Sequence, residues 1–365
     1  MTDFIISRIF PDDKRAQKEL VKLLSAEGLQ LDKQLDYTLG IYDGDCLVGT
    51  GSFFANTLRC FAVNRNYQGQ SIFNTIISHL TQEMFNRGYD HFFVYTKLSS
   101  AQYFKDLGFK EIARGGALVS FLENKKGSFE EYLKKLKKDG ADIITDTISP
   151  HSSKKHVEHT LIHGSIVINA NPFTKGHLYL IEKAAEDCNI LHLFIVSEDA
   201  SFFPASVRRR LIIENTKHLK NIIYHECGPY LISNSVFPAY FQKSEDDVIR
   251  SQVLLDTAIF TRIAKELNIS RRYVGEEPFS RVTALYNEAI QKELIKQGLV
   301  VQIFSRIETS DKKTISASSV RAALKEDDWI TIKNMVPPAT LSFLQSAEAI
   351  PIIEALKGAD HVHHY

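Results

Sequence analysis

Long apolar runs are missing from this chain. No stretch approaches the roughly 18 consecutive residues that a membrane-spanning helix needs, so a helical membrane protein is excluded. The opening stretch from Met1 to Leu20 holds Asp3, Arg8, Asp12, Asp13, Lys14 and Arg15. It has no apolar segment of a secretory signal, and a cytoplasmic location is the expectation. Net charge is also absent, because 44 Lys plus Arg stand against 44 Asp plus Glu. Without a net field to hold a polyanion, a nucleic-acid-coating role is not expected, and any anion must be held by local geometry. Cysteine is scarce: Cys46, Cys60, Cys188 and Cys227 stand far apart, which is neither a zinc pattern nor a disulfide framework. They are expected to be small buried apolar side chains. Histidines cluster at His151, His156, His159 and His163 and again at His361, His363 and His364. A polar linker and an exposed tail account for these, and no structural metal is expected.

What is present suffices for two domains: 365 residues at roughly 100–200 per domain. Residues 1–125 read as a mixed α/β domain, with Val48–Phe54 and Leu58–Val63 as central strands. Ile72, Ile76, Leu80 and Met84 recur at helical spacing. Residues 126–160 turn lysine-rich and then polar, with Ser149-Pro150 and Ser152-Ser153, and read as a linker. Residues 161–365 form the second domain. Its apolar strands at Gly164–Asn169, Leu191–Val196, Asn221–His225, Tyr273–Gly275 and Val300–Phe304 alternate with helical stretches. This implies a parallel sheet covered on both faces, with ligands at the carboxyl ends of the strands. Further helices close the chain after Ser316.

The first strand of that domain runs into Ala170-Asn171-Pro172-Phe173-Thr174-Lys175-Gly176-His177 and then into a helix. Gly176 lets backbone approach a ligand, and His177 falls in the first turn, where free amides and the helix dipole attract phosphate. A histidine there can donate to charge developing on phosphorus, a kind of contact worth about 2.7–4 kcal/mol in a transition state. The alternative is a turn glycine beside an ordinary surface histidine; the coincidence of strand, turn, Thr174 and helix favours the site.

A second candidate anion site is Ile315-Ser316-Ala317-Ser318-Ser319-Val320-Arg321. A serine before a helix normally caps the helix's own amides, worth about 1 kcal/mol. Ser318 and Arg321, three apart, share a helical face, so hydroxyl, amide and guanidinium can converge on a polyphosphate.

Together, Thr174-x-Gly176-His177 and Ile315-Ser316-x-Ser318-x-Val320-Arg321 resemble the two signatures of the nucleotidylyltransferase superfamily. Adding Asn169-Ala170-Asn171-Pro172-Phe173, Phe203-Pro204-x-x-x-Arg208, Tyr230-Leu231-Ile232-Ser233, Phe237-Pro238-Ala239-Tyr240-Phe241 and Arg272-Tyr273-Val274-Gly275-Glu276-Glu277-Pro278-Phe279, the chain resembles the citrate lyase ligase family over nearly all of residues 1–350. The resemblance implies an α/β protein: a GNAT-like mixed domain, then a Rossmann-like parallel-sheet nucleotidylyltransferase domain with C-terminal helices. It implies that acetate attacks the α-phosphorus of ATP to give acetyl-AMP, and that the prosthetic-group thiol of the citrate lyase acyl carrier protein takes the acetyl group. From the charge balance and the lack of long apolar runs, neither nucleic acid nor membrane is expected as a partner.

Carried over residue by residue, the resemblance makes Thr174, His177 and Arg321 catalytic. Asn169, Asn171, Lys175, Gly176, Arg208, Gly275, Glu276, Ser316 and Ser318 become nucleotide-binding, with Mg²⁺ arriving on the phosphates and no metal held by the chain itself. Arg208 lies in an Arg208-Arg209-Arg210 run, and such runs are usually a solvated face. Lys175 is a phosphate contact or simply exposed; Gly275 and Glu276 contact the nucleotide or form a polar loop closed by Pro278.

In the GNAT-like front domain, Gln68-Gly69-Gln70-Ser71-Ile72-Phe73 stands where acetyltransferases offer a glycine-rich turn to a pyrophosphate. Ser71 and Phe73 replace both glycine-type positions. Thr96-Lys97 and Ala101-Gln102-Tyr103-Phe104-x-x-Leu107-Gly108-Phe109 continue the resemblance, with Tyr103 expected to pack. The front domain is expected to dock the carrier or its prosthetic arm. Two readings stay open beside the ligase: an adenylyltransferase acting on a phosphorylated cofactor precursor, and a non-catalytic regulator sensing nucleotide and coenzyme.

Overall fold

A computed structural model describes residues 4–69, 71–140, 161–197, 201–231, 237–238, 240–241, 245–276, 281–308 and 314–359. The chain divides into two units, Met1–Ser128 with Phe237–Ala258, and Phe129–Val236 with Ile259–Tyr365.

The first unit carries β1 (Ile5–Arg8), α1 (Lys14–Ala26), β2 (Tyr37–Asp43), β3 (Cys46–Phe54), β4 (Thr57–Val63), α2 (Ile72–Asn86), β5 (Phe93–Thr96), α3 (Leu98–Asp106), β6 (Lys110–Gly115) and β7 (Val119–Glu123). Its sheet has the order β1-β2-β3-β4-β5-β7-β6. Neighbours are antiparallel except β4 and β5, which pair in parallel at Thr57↔Phe93 and Leu58↔Val94. Asp13 starts α1 by accepting from the amides of Arg15 and Ala16, and the helix buries Leu20, Leu23 and Leu24 against the sheet. Gly49 and Gly51 of β3 let α2 lie directly on the strand. A Cβ at either would stand 2.6 or 2.5 Å from the side chains of Ile72 and Ile76. Phe73 does not stand alone at the start of α2; its ring meets Phe61, Tyr103 and Phe104 at centroid distances of 5.2–5.8 Å. The later segment joins this unit through Tyr240, which donates its hydroxyl to the Tyr95 carbonyl at 2.7 Å and accepts at its own carbonyl from the Gln30 amide.

The second unit carries α4 (Ser128–Asp139), β8 (His163–Ile168), α5 (Lys175–Asp187), β9 (Ile190–Ile195), α6 (Ala205–Thr216), β10 (Ile222–Glu226), the later part of α7 (Glu245–Glu266), β11 (Ile269–Gly275), α8 (Arg281–Lys296) and β12 (Val300–Phe304). The helices α9 (Ala317–Lys325), α10 (Trp329–Met335), α11 (Pro338–Leu344) and α12 (Ile350–Gly358) follow. The five strands are all parallel in the order β10-β9-β8-β11-β12. Order reverses at β8: the chain moves outward through β9 and β10 and then returns to its other side. Ligand clefts open at the carboxyl ends of such sheets, beside this switch point.

Successive side chains alternate between the two faces of this sheet. Ile166, Ile168, Leu191, Leu193, Ile195 and Ile222 join one core with Ile181 of α5 and Leu211 of α6. On the opposite face, Phe194 and Arg272 meet Phe260 of α7. That face also carries polar rings. Nδ1 of His163 lies 3.0 Å from Nε2 of His192, and Nδ1 of His192 lies 2.9 Å from Nε2 of His225. His225 Nδ1 reaches the Asp139 carboxylate at 3.4 Å.

Two expectations are corrected here. His163 is not linker: it is a buried residue of β8, held there by its ring partner on β9. Among the cysteines, Cys60, Cys188 and Cys227 are buried as expected, whereas Cys46 is exposed at the start of β3. Residues 141–160, including His151, His156 and His159, and the tail histidines lie outside the described residues.

Candidate active site

Thr174 ends an extended approach to α5 and serves as its N-cap. Its Oγ1 accepts from the His177 amide at 3.3 Å, while the Thr174 amide donates to His177 Nδ1 at 3.0 Å. Two helix-end amides are thereby satisfied reciprocally, in the manner of a capping box. Because a backbone N–H is always a donor, His177 Nδ1 must be the acceptor, and the proton of the neutral ring resides on Nε2. Burial, reinforced by the positive charge of Arg306, pushes the ring's pKa down to about 4. His177 is therefore a neutral Nε2–H donor at ordinary pH.

The serine-rich motif occupies the same cleft. Ser316 is the N-cap of α9 and accepts from the Ser319 amide at 3.0 Å; its hydroxyl also lies 2.9 and 2.7 Å from those of Ser318 and Ser319. Capping is thus one role that Ser316 plays. Arg321, only 2% exposed, turns inward and donates from Nη1 to the Asn171 carbonyl at 2.6 Å. At Gly176 a Cβ would stand 3.1 Å from the Ile315 carbonyl oxygen. The two motifs, some 140 positions apart in the chain, are therefore in direct backbone and side-chain contact.

Around them opens a cleft of about 1170 Å³. Its lining includes nine of the twelve residues expected from sequence: Asn169, Asn171, Thr174, Gly176, His177, Gly275, Ser316, Ser318 and Arg321. Ala170, also in the lining, adopts a left-handed φ of 52°, a conformation costing a residue with a Cβ roughly 1–2 kcal/mol. The neighbouring asparagines hold it there. Asn171 Oδ1 accepts from the Phe203 amide, and Asn169 bonds Ser201 through its side-chain nitrogen.

Three expected residues lie outside the lining. Lys175 points its Nζ to the carbonyls of Lys333 and Asn334, at 3.2 and 3.0 Å, at the end of α10. Arg208 is fully buried, not on a solvated face; its neighbours Arg209 and Arg210 are the exposed members of the run. Its guanidinium donates to the carbonyls of Phe203, Asn169 and Val196 and to Asn169 Oδ1, all within 3.0 Å. It braces the end of β8 from beneath. Glu276 is exposed, with its amide on the Phe304 carbonyl.

Sequence reasoning passed over Arg306, Ser319, Asn287 and Ser305, which also line the cleft. Arg306 is the second residue after β12, so its place beyond the carboxyl end of a parallel strand was the available signal. Ser319 lay inside the motif already singled out. Asn287 sits mid-helix on α8, where nothing in the pattern marks it.

What the arrangement can do follows from its donors. Hydroxyls, a neutral imidazole N–H, guanidinium groups and the first amides of α5 and α9 face one space, a donor set matched to phosphate oxygens. The described residues hold no group of three or more His, Cys, Asp or Glu side chains that would bind a metal ion.

Comparison with known proteins places this geometry in context. Residues 163–344 match the citrate lyase ligase C-terminal domain model, and residues 6–109 match the acetyltransferase (GNAT) family. The [citrate [pro-3S]-lyase] ligase of Escherichia coli is 30% identical over 347 residues, covering 94% of this chain and 94% of that protein. The proteins of the same name from Haemophilus influenzae and Klebsiella pneumoniae are 34% and 32% identical, covering 88% and 92% of this chain and 93% and 95% of theirs. With end-to-end similarity at these identities, and with both motifs meeting in one cleft, the chain belongs to the citrate lyase ligase family.

Proposed function

We propose that this chain is an ATP-dependent acid–thiol ligase that acetylates the acyl carrier protein of citrate lyase. In the first half-reaction an acetate oxygen attacks the α-phosphorus of ATP. A carboxylate–phosphorus bond forms, the bond from the α-phosphorus to the β-bridging oxygen breaks, and pyrophosphate leaves with the electron pair, giving acetyl-AMP. In the second, the prosthetic-group thiol of the carrier attacks the acetyl carbonyl carbon, AMP departs and a thioester results. The relatives' name supports the carrier as acceptor.

The observation carrying this reading is the contact of the Thr174–His177 turn with the Ile315–Arg321 segment around one cleft. His177, neutral and protonated at Nε2, donates to the α-phosphate as charge builds on its oxygens. The α9 amides with Ser318 hold the outer phosphates, and Arg321 keeps the Asn171 turn seated against them. Gly176 permits the close approach. Arg208 acts at one remove, by holding Asn169. Mg²⁺ travels with the triphosphate as part of the substrate; beside its hydroxyl, imidazole and guanidinium groups the lining carries the carboxylates of Glu326 and Asp328.

Exchange of labelled pyrophosphate into ATP, with and without acetate, is the test. Acetate-dependent exchange is expected. Exchange that needs a phosphopantetheine-like substrate instead would select an adenylyltransferase, and no exchange under either condition would favour a nucleotide-binding regulator.

A further inference from the structure

Arg306 stands two residues beyond the end of β12 and lines the cleft. Its Nε donates to the Glu276 carbonyl at 2.6 Å, and the Glu276 amide in turn donates to the Phe304 carbonyl at 2.9 Å. The guanidinium is thus held at the paired carboxyl ends of the parallel strands β11 and β12. One residue further, the Ile307 carbonyl accepts from the Ile315 amide, and Glu308 bridges Thr314. The strand end that carries Arg306 is therefore pinned to the residues that lead into Ser316.

Charge makes this placement consequential. Among the described residues the lining contains two arginines, Arg306 and Arg321, and two carboxylates, Glu326 and Asp328; Asp328 is engaged as the N-cap of α10, accepting from the Thr331 amide. Arg321 is buried with Nη1 on a backbone carbonyl. His177 contributes no full charge, being neutral, and Arg306 is close enough for its field to disfavour a proton on that ring. A triphosphate entering a chain of zero net charge meets its positive counterpart at such local groups. Guanidinium is well suited to the task, since its planar donors match paired phosphate oxygens and its charge survives partial burial.

We propose that Arg306 is a further catalytic residue of the adenylation step, contacting the phosphates of bound ATP beside His177 and stabilising the charge that passes to the departing pyrophosphate. The inference rests on the acyl-adenylate reading above. Wild-type full-length protein is therefore assayed first: failure of acetate-dependent exchange there removes that reading, whatever Arg306 does.

With wild-type exchange established, the same assay is run on Arg306→Gln and Arg306→Lys, together with NMR titration of the His177 ring, assigned through His177→Gln. For R306Q the expected result is an exchange rate about 10²–10³-fold lower, a raised KM for ATP, an unchanged KM for acetate, and a higher His177 pKa. R306K keeps the charge but loses the planar fork; its exchange should fall between the two, with His177 titrating near its wild-type value. R306Q exchange within about threefold of wild type, on a scale where one lost donor costs 10²–10³, overturns the proposal. So does a loss in which ATP and acetate KM rise together and the His177 titration does not move, the pattern of a purely structural arginine. Should R306Q fail to fold, R306K decides alone: a lower rate with an ATP-specific KM rise supports the proposal, and wild-type kinetics overturn it.

Discussion

The amide of Thr174 donates to Nδ1 of His177 at 3.0 Å, and the amide of His177 returns to Thr174 Oγ1 at 3.3 Å. Histidine stands here where Glu or Gln stands in the usual capping box. One short pattern thus closes a helix end, fixes the tautomer of the ring and leaves Nε2–H as the donor. In the function proposed above the same two residues serve folding and chemistry, and substitutions can separate these roles.

Gln at position 177 can reach back to the N-cap amide but has no imidazole. His177→Gln is expected to retain wild-type stability while exchange falls about 10²–10³-fold. His177→Ala should lose both, with about 0.5–1.5 kcal/mol less stability because the Thr174 amide loses its acceptor while the Thr174 hydroxyl still caps the amide of residue 177. Urea unfolding beside pyrophosphate exchange measures the two effects, and full activity in H177Q would remove His177 from the chemistry.

Gly176→Ala opposes two effects at one site. Alanine is favoured over glycine in a helix by about 1 kcal/mol, but its Cβ would stand 3.1 Å from the Ile315 carbonyl. That oxygen belongs to backbone and can yield only by moving the serine-rich motif. The variant should fold with stability within about 1 kcal/mol of wild type, yet show a higher KM for ATP and slower exchange. Unaltered kinetics would mean that the spacing of the two motifs is not critical.

Arg208→Met removes a buried cation whose N–H groups serve three carbonyls and the Asn169 side chain. Buried acceptors left unpaired cost about 1–3 kcal/mol each, so a total loss of about 3 kcal/mol or more is expected in chemical denaturation. Arg209→Met, on the exposed side of the same helix, should change stability by no more than about 0.5 kcal/mol. Equal effects at the two positions would contradict the inward placement of Arg208.

The row His163, His192 and His225 gives the second unit an acid-sensitive stability. Burial holds all three rings below the ordinary value of 6.5, and for His192 the neighbouring rings add to the effect. For His225 the Asp139 carboxylate opposes the shift without cancelling it. The unfolded chain therefore takes up protons first as pH falls. The contribution is complete above about pH 6.5 and is lost progressively below it. Urea midpoints measured from pH 7.5 to 5 should decline, and His192→Gln should flatten that decline. An equal slope in the variant would show that other groups control it.

Much of the architecture was readable in one dimension. Apolar runs at β8, β9, β10, β11 and β12 were expected within a few residues of where they lie, because a strand buried on both faces must be apolar over most of its length. Both phosphate-type motifs were recognisable, since helix caps are local and use adjacent residues. The same locality explains the errors: Arg208 was read from its charged neighbours and His163 from the polar stretch before it. Each residue's true partners, Asn169 and Val196 for the arginine and His192 for the histidine, come from other strands or strand ends.

The amino-acid order by itself determined that two capped helix starts would follow the Thr174 and Ser316 motifs, that a parallel sheet would carry them and that His177 would sit in a first turn. Caps, periodicity and turns depend on residues a few positions apart, and such relations survive in a linear reading. Only the tertiary structure decided that Arg321 would reach the Asn171 carbonyl, that Gly176 would face Ile315 and that Arg306 would line the same cleft as His177. Those pairs lie 129–150 positions apart in the chain, and they meet in one cleft because parallel strands with crossover helices bring distant strand ends to one edge of a sheet.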